Sequence, residues 1–299
     1  MPQDVQTFIP KKFEEKYSAL LGDEYPAFLA SCKTKLPRTI RVNSLKTTAK
    51  ELLPKLRKQG IALEAHPALK DVFYIKTPNA QLGYLPEHQQ GLFVVQETSS
   101  MLPPLVLDPQ PNEVVCDMAA APGMKTCQMA ELMQNTGAIV AVDMAVERLK
   151  ALWFNMSRMG IVNTLVVHHD SRRFYSKIEF DRVLLDAPCS TEGFVRKRPD
   201  ALKGWHPGLV EKKSIVQKQL IERGFGLLKK GGVMVYSTCT LSPEENEEVV
   251  NHLLRGVKNA QLEQVFFPGL KFRPGLVSYK SRTYHTSLEK TVRVYPQDN

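Results

Sequence analysis

The chain has 299 residues, 43% hydrophobic and 24% charged, which suits a globular protein with one α/β domain and a smaller appendage. No apolar run approaches a membrane span and the opening MPQDVQTFIPKK has no signal-peptide core, so the expectation is no membrane contact and a cytoplasmic location. The five cysteines (Cys32, Cys116, Cys127, Cys189 and Cys239) are odd in number and form no C-x-x-C pair, which argues against a disulfide framework or structural zinc and for a reducing compartment; a net charge of +9 then points to phosphate-bearing partners.

Residues 10–35 read as helical. A small α/β unit follows over about 36–95, with a strand around Thr39–Asn43, a helix over Ala49–Gly60 and a strand-like FYIK. Residues 1–60 hold 12 Lys or Arg against 6 Asp or Glu, so this fifth of the chain supplies +6 of the +9. Lys33, Lys35, Arg38, Arg41 and Lys46 flank an apolar run, which fits a surface tracking a nucleic-acid backbone; a solvated basic face is an equal alternative. The chain divides near residue 105, giving an N-terminal region over 1–105 and a second domain over 106–299. There strands near 114–118, 138–143, 164–169, 181–186 and 232–238 alternate with helices near 124–134, 146–159, 209–229 and 243–254. Such alternation predicts a parallel sheet with right-handed crossovers. Ser242–Glu245, S-P-E-E, reads as a helix start with Ser242 as its cap.

Three motifs carry chemistry. In NEVVCDMAAAPGMKT a strand ends at Asp117, turns through small residues and Pro122-Gly123, and opens a helix at Met124. Ala119–Ala121 and Gly123 leave the backbone open to a ligand at a helix N-terminus. The spacing excludes a dinucleotide fingerprint, and Met124 between Gly123 and Lys125 excludes a P-loop. The next strands end in Asp143, suited to ribose hydroxyls, and Asp170. Repeated strand-end acids suit a nucleoside ligand without a pyrophosphate. The other two motifs, FDRVLLDAPCSTEG and GGVMVYSTCTLSPEEN, deliver Cys189 and Cys239 beyond strand ends, where open α/β sheets bind ligands. Asp186 lies three residues before Cys189. One such cysteine alone reads more readily as a buried packing residue; the pair beside the first motif reads as covalent chemistry. Arg196, Lys197, Arg198 and Lys203 follow Cys189 and suit substrate binding.

DMAAAPGMKT, LLDAPCSTEG and YSTCTLSPEENE, in this order, with PRTIRVNSLK, FVVQETSSML and RKRPDALKGWHP around them, resemble the RNA cytosine-5 methyltransferases of the Sun/Fmu type over about residues 36–255. The resemblance implies a Rossmann-like class I methyltransferase domain, dependent on S-adenosylmethionine, behind a small N-terminal α/β domain like an RNA-recognition fold. It implies a tRNA or rRNA substrate, no metal, and a monomer. By the same resemblance Cys239 is the nucleophile and Cys189 helps release product. Lys125 lies near the methyl donor and target base. Ala119, Ala120, Ala121, Pro122, Gly123 and Met124 form the donor loop with Lys125. Asp143 takes the ribose, Asp170 the adenine amino group, and Arg148 and Asp186 flank the donor site.

The chemistry explains why thiols are needed. Carbon 5 of cytosine is a weak nucleophile until a thiolate adds to carbon 6. Asp186, protonated by desolvation, is expected to hydrogen-bond ring nitrogen 3. Met118, Met129 and Met133 read as packing residues, as does Met124 apart from its place in the loop. Two departures stand out: Thr191 occupies a position where many members have Gly, and the chain stops at TVRVYPQDN, so the catalytic domain is expected to lack its last strand. The alternatives are a DNA cytosine methyltransferase and a non-catalytic RNA-binding protein.

Overall fold

The computed structural model describes residues 7–198, 200–267 and 270–298. The chain forms two compact units from alternating stretches: one from Pro37–Asp186 with Arg223–Tyr236, the other from the residues up to Leu36 with Ala187–Glu222 and those from Ser237 onward.

The first of these units carries two sheets. In one, β1 (Thr39–Val42), β2 (Leu63–Ala65), β3 (Val72–Ile75) and β4 (Phe93–Val95) run in the order β2-β3-β1-β4, with antiparallel pairing throughout. β1 is buried along its whole length, as a central strand covered on both faces must be. A helix over Ala49–Lys58 starts where Thr48 and Glu51 form a reciprocal capping box, and it buries Leu52 and Leu56 against Ile40, Val42 and Phe93.

The other sheet has the order β7-β6-β5-β8-β9. Its strands are β5 (Val114–Asp117), β6 (Ala138–Asp143), β7 (Thr164–His168), β8 (Phe180–Asp186) and β9 (Leu228–Ser237). Pairing is parallel in the registers Val115↔Ile139, Val140↔Leu165 and Cys116↔Val183. Phe180 donates to Leu227 (2.9 Å) and Ala187 to Ser237 (2.8 Å), so β9 runs alongside β8 in the same sense. This is a Rossmann-like sheet whose order reverses between β5 and β8, and such sheets bind ligands in the crevice beyond the carboxyl ends of the strands at that switch point. Helices over Met124–Leu132 and Val146–Met159 cover it, packing Met129, Met133, Leu149 and Leu152 on Val115, Ile139 and Ala141.

The second unit is helical. Lys11–Leu21, Tyr25–Cys32, most of Pro207–Phe225 and Glu247–Gly256 are its main helices. Phe13, Tyr17, Phe28 and Trp205 form its aromatic core, with the Phe13 and Tyr17 ring centroids 4.4 Å apart. Among the described residues no helix is long and apolar enough to cross a membrane.

Three sequence expectations are corrected here. Arg41 is not a surface cation: it is buried, ion-paired to Glu131, and its Nε donates to Gln96 Oε1 at 3.0 Å. Lys46 is spent on the fold as well, donating to the carbonyls of Gln90 (2.9 Å) and Arg158 (2.7 Å). Ser242 caps no helix: Pro243–Glu245 is a single 3-10 turn, the backbone breaks at Asn246, and the helix starts at Glu247. The Ser242 hydroxyl instead turns to buried Glu192 and donates to it at 2.6 Å, a charge-assisted bond stronger than the amide-to-hydroxyl bond of a cap.

Burial pushes the Glu131 carboxyl up while Arg41 pulls it down, so losing the guanidinium strands a buried acid. Arg41→Ala should therefore cost about 3–5 kcal/mol of stability, read by urea unfolding. A cost below about 1 kcal/mol would show that Glu131 is solvated when its partner leaves.

Candidate active site

The turn after β5 is braced from the helix that follows β6. Asp143 is buried; its Oδ2 accepts from the Ala121 amide (3.1 Å) and its Oδ1 from the Ala145 amide (3.0 Å). Arg148 donates to the Ala121 carbonyl and lies 3.5 Å from Asp143, and Asn155 donates to the Pro122 carbonyl at 2.9 Å. Gly123 has φ +98, and a Cβ there would lie 2.5 Å from Leu152 Cδ1, so close helix packing demands glycine as much as ligand approach does. The structure thus brings Ala121, Pro122, Gly123, Asp143 and Arg148 into one assembly. Asp143 Oδ2 faces both the Ala121 amide and the Arg148 guanidinium, while Oδ1 keeps a second lone pair beyond its bond from Ala145.

Asp170 lies two residues beyond β7. Arg172 holds it bidentately, with Nη2 at 2.7 Å from Oδ2, and this hydrogen bonding keeps the carboxyl below its ordinary range. An adenine amino group would share that carboxylate with a guanidinium. Lys125, on the first turn of its helix, donates to Asp186 Oδ2 at 2.6 Å and to Ser100 Oγ at 3.2 Å. The Asp186 side chain is a third exposed. The expectation of a dry, protonated Asp186 therefore meets a cation in contact and solvent on one side. The acid kept from water is Asp117: burial, assisted by the charge of Asp186, pushes it up to about 7 against the bond from Thr126 Oγ1 (2.7 Å). Its burial at the end of a central strand was the only sequence signal for this.

The two thiols lie at the ends of neighbouring strands, with Sγ atoms 3.1 Å apart. Cys239 is exposed and Cys189 buried; the contact with Cys239, then burial, push the Cys189 thiol well above its ordinary value. Their loops are held by exchanged carboxylates. Glu192, from the Cys189 loop, is fully buried and accepts from Thr240 Oγ1 (2.7 Å), the Leu241 amide (2.9 Å) and Ser242 Oγ (2.6 Å) of the Cys239 loop. Tyr17 and Trp205 complete its shell at 2.5 and 2.7 Å. Glu245, from the Cys239 loop, accepts from the Ser190 amide (2.9 Å), the Ser190 hydroxyl and Gln217 (2.9 Å). Gly193 donates to the Cys239 carbonyl at 2.8 Å, where a Cβ would lie 2.7 Å from that oxygen. Thr191 sits at φ 59, ψ 29, the left-handed region that glycine favours, which gives its departure from the family pattern a physical cost. In the sequence Glu245 belongs to the S-P-E-E segment that reads as a helix start, and no motif singles out Glu192. Their only local signal is an acid in a Ser/Thr-rich loop.

Residues 104–299 match the family of the 16S rRNA methyltransferases RsmB/F, and residues 9–98 match the N-terminal domain of 16S rRNA methyltransferase RsmF. The chain belongs to the RsmB/F methyltransferase family. It is 44% identical to the tRNA (cytosine(49)-C(5))-methyltransferase of Pyrococcus abyssi, over 97% of this chain and 93% of that protein. It is 43% identical to the ribosomal RNA small subunit methyltransferase F of Shewanella loihica, over 90% of this chain. The chain spans 57% of that protein's length, and 61% and 51% of the ribosomal RNA small subunit methyltransferases F of Aliivibrio fischeri and Escherichia coli. The crystal structure of NSun6 from Pyrococcus horikoshii with SFG superposes with a TM-score of 0.84 at 26% identity, covering 96% of this chain and 94% of that one. This family member is an S-adenosylmethionine-dependent methyltransferase.

Glu192→Gln would set an amide against five hydrogen-bond donors that now share a carboxylate. It should cost about 3 kcal/mol or more in urea unfolding; a loss under about 1 kcal/mol would mean the donors find other acceptors.

Asp117 sets a pH dependence. Its carboxyl binds a proton more tightly folded than unfolded, so its contribution is full below the ordinary value of 3.8 and is lost as pH rises to about 7. Across that window the wild type should lose on the order of 3–4 kcal/mol relative to Asp117→Asn. A stability difference between the two that does not vary with pH would refute the assignment.

Proposed function

We propose that this protein transfers a methyl group from S-adenosylmethionine to carbon 5 of a cytosine in RNA, through a transient bond between Cys239 and the base. The observation that supports this best is the thiol pair, one exposed and one buried, at the ends of adjacent strands. The names of the tRNA and ribosomal relatives point to the same chemistry.

Asp143 would hold the donor's ribose and Asp170 its adenine amino group. The Ala119–Gly123 turn, followed by Met124 and Lys125, would take the methionine moiety. When bound, the donor supplies an electrophilic methyl group to carbon 5. The exposed thiol is the one a base can reach, which supports Cys239 as nucleophile. Its thiolate adds to carbon 6, forming a sulfur–carbon bond and shifting an electron pair toward carbon 5. Asp186 accepts from the exocyclic amine of cytosine, and Lys125 donates to ring nitrogen 3, stabilising the charge that develops there. Release is an elimination: the carbon 5 proton passes to water, and its electron pair restores the carbon 5–carbon 6 double bond. The bond from Cys239 breaks with its pair on sulfur, where the adjacent Cys189 thiol assists by hydrogen-bonding the departing thiolate. The raised Cys189 thiol suits a group that stays protonated during the attack.

Cys239→Ala should abolish transfer of labelled methyl groups to RNA and leave donor binding intact. Cys189→Ala should accumulate a covalent protein–RNA adduct on denaturing gels, because addition proceeds and release stalls. An adduct formed by Cys239→Ala and not by Cys189→Ala would reverse the two roles. Parallel assays with tRNA, 16S rRNA and DNA identify the substrate; transfer to DNA alone would overturn the RNA reading.

A further inference from the structure

The two basic clusters singled out in the sequence meet in the fold. Arg196 lies 162 residues from Thr34, yet its Nε donates to the Thr34 carbonyl (3.2 Å) and its Nη2 to the Thr34 hydroxyl (3.3 Å). Beside this junction is a cavity of about 50 Å³ lined by Lys33, Lys35, Arg196 and Lys197, and no acidic residue lines it among the described residues. Its remaining walls include Cys32, whose thiol burial pushes up to about 12, so the sulfur adds no negative charge.

Two physical points define the occupant. Four cations around one small space repel each other, and the space is stabilised when an anion enters it. The volume exceeds what one water needs but falls far below the roughly 300–1,000 Å³ of pockets that enclose a nucleoside-sized ligand. A phosphate group fits and a base does not. The C-terminal end of the Tyr25–Cys32 helix accounts for Lys33, its capping residue, but not for the convergence of Lys35, Arg196 and Lys197. The Thr34 carbonyl and hydroxyl, with the Pro296 carbonyl at 3.5 Å from Nη1, orient the Arg196 fork beside the cavity.

We propose that this cavity is a subsite for one phosphodiester of the RNA backbone. The assignment rests on the RNA reading above and adds where the strand is held, on residues outside the catalytic machinery.

The test is RNA binding by fluorescence anisotropy across a potassium chloride series. Lys33 and Lys35 are exposed, so K33Q/K35Q should fold normally. One lost phosphate contact should lower the slope of log affinity against log salt by about 0.7 for single-stranded RNA and about 0.9 for a duplex. Affinity at low salt should fall about tenfold, with donor affinity unchanged in calorimetry. The control K55Q/K58Q removes the same charge from exposed positions elsewhere and should keep the wild-type slope. Inorganic phosphate at constant ionic strength should displace RNA from wild type more readily than from K33Q/K35Q. A wild-type slope in K33Q/K35Q, an equal fall in the control, or equal displacement by phosphate would each overturn the subsite. If the wild type still methylates RNA in that event, the functional reading survives. If the wild type neither binds nor methylates RNA, both fall.

Discussion

A reactive thiol on a loop is useful only if the loop has one conformation, and here two carboxylates impose it. Glu192 and Glu245 each leave their own thiol loop and take the donors of the other. Cys189 and Cys239 are thereby held in a geometry neither loop could set alone. Burying an acid costs several kcal/mol unless every lone pair finds a donor. Glu192 meets that condition with five, two of them from the aromatic core at Tyr17 and Trp205. The packing of the helical unit and the placement of its thiols are therefore one problem, and a change in the aromatic core is felt at the sulfur atoms.

The Rossmann-like sheet solves a related problem with backbone rather than with thiols. The turn after β5 buries Ala120 and Ala121 in the core, and Asp143, Arg148 and Asn155 reach back from the next βα unit to occupy its backbone polar groups. These contacts hold the turn in one conformation, and a turn ordered beforehand lowers the ordering cost of binding a ligand there. Lys125 and Asp186 neutralise each other where two strands diverge, while Asp117 beneath them is left dry and titrates near neutrality.

Net charge proves a coarse guide to the RNA surface. Arg41 and Arg293 are buried in ion pairs with Glu131 and Glu247, and Lys46 holds two backbone carbonyls. These cations belong to the interior. Which cations gather is set by position in the fold: Lys33 and Lys35 line one cavity with Arg196 and Lys197, not with their sequence neighbours Arg41 and Lys46.

Local patterns in the sequence determined the elements of the catalytic sheet. The strand over 138–143 and the helix over 146–159 lie where hydrophobic periodicity puts them, because Gly137 and Gly160, at φ +64 and +76, punctuate both ends with conformations other residues avoid. Thr48 and Glu51 mark a helix start for the same local reason. The motifs likewise made the turn after β5 and the placement of both thiols beyond strand ends legible. What a side chain does once the elements pack depends on partners far along the chain. Ser242 has the sequence of a helix cap, but a carboxylate 50 residues away takes its hydroxyl. Arg41 has the neighbours of a surface cation, but an acid 90 residues away buries it. Spacing along the chain reports which residues share a strand or a helix face; only the tertiary structure decides which charge meets which, because Coulomb and hydrogen-bond energies depend on distance in space.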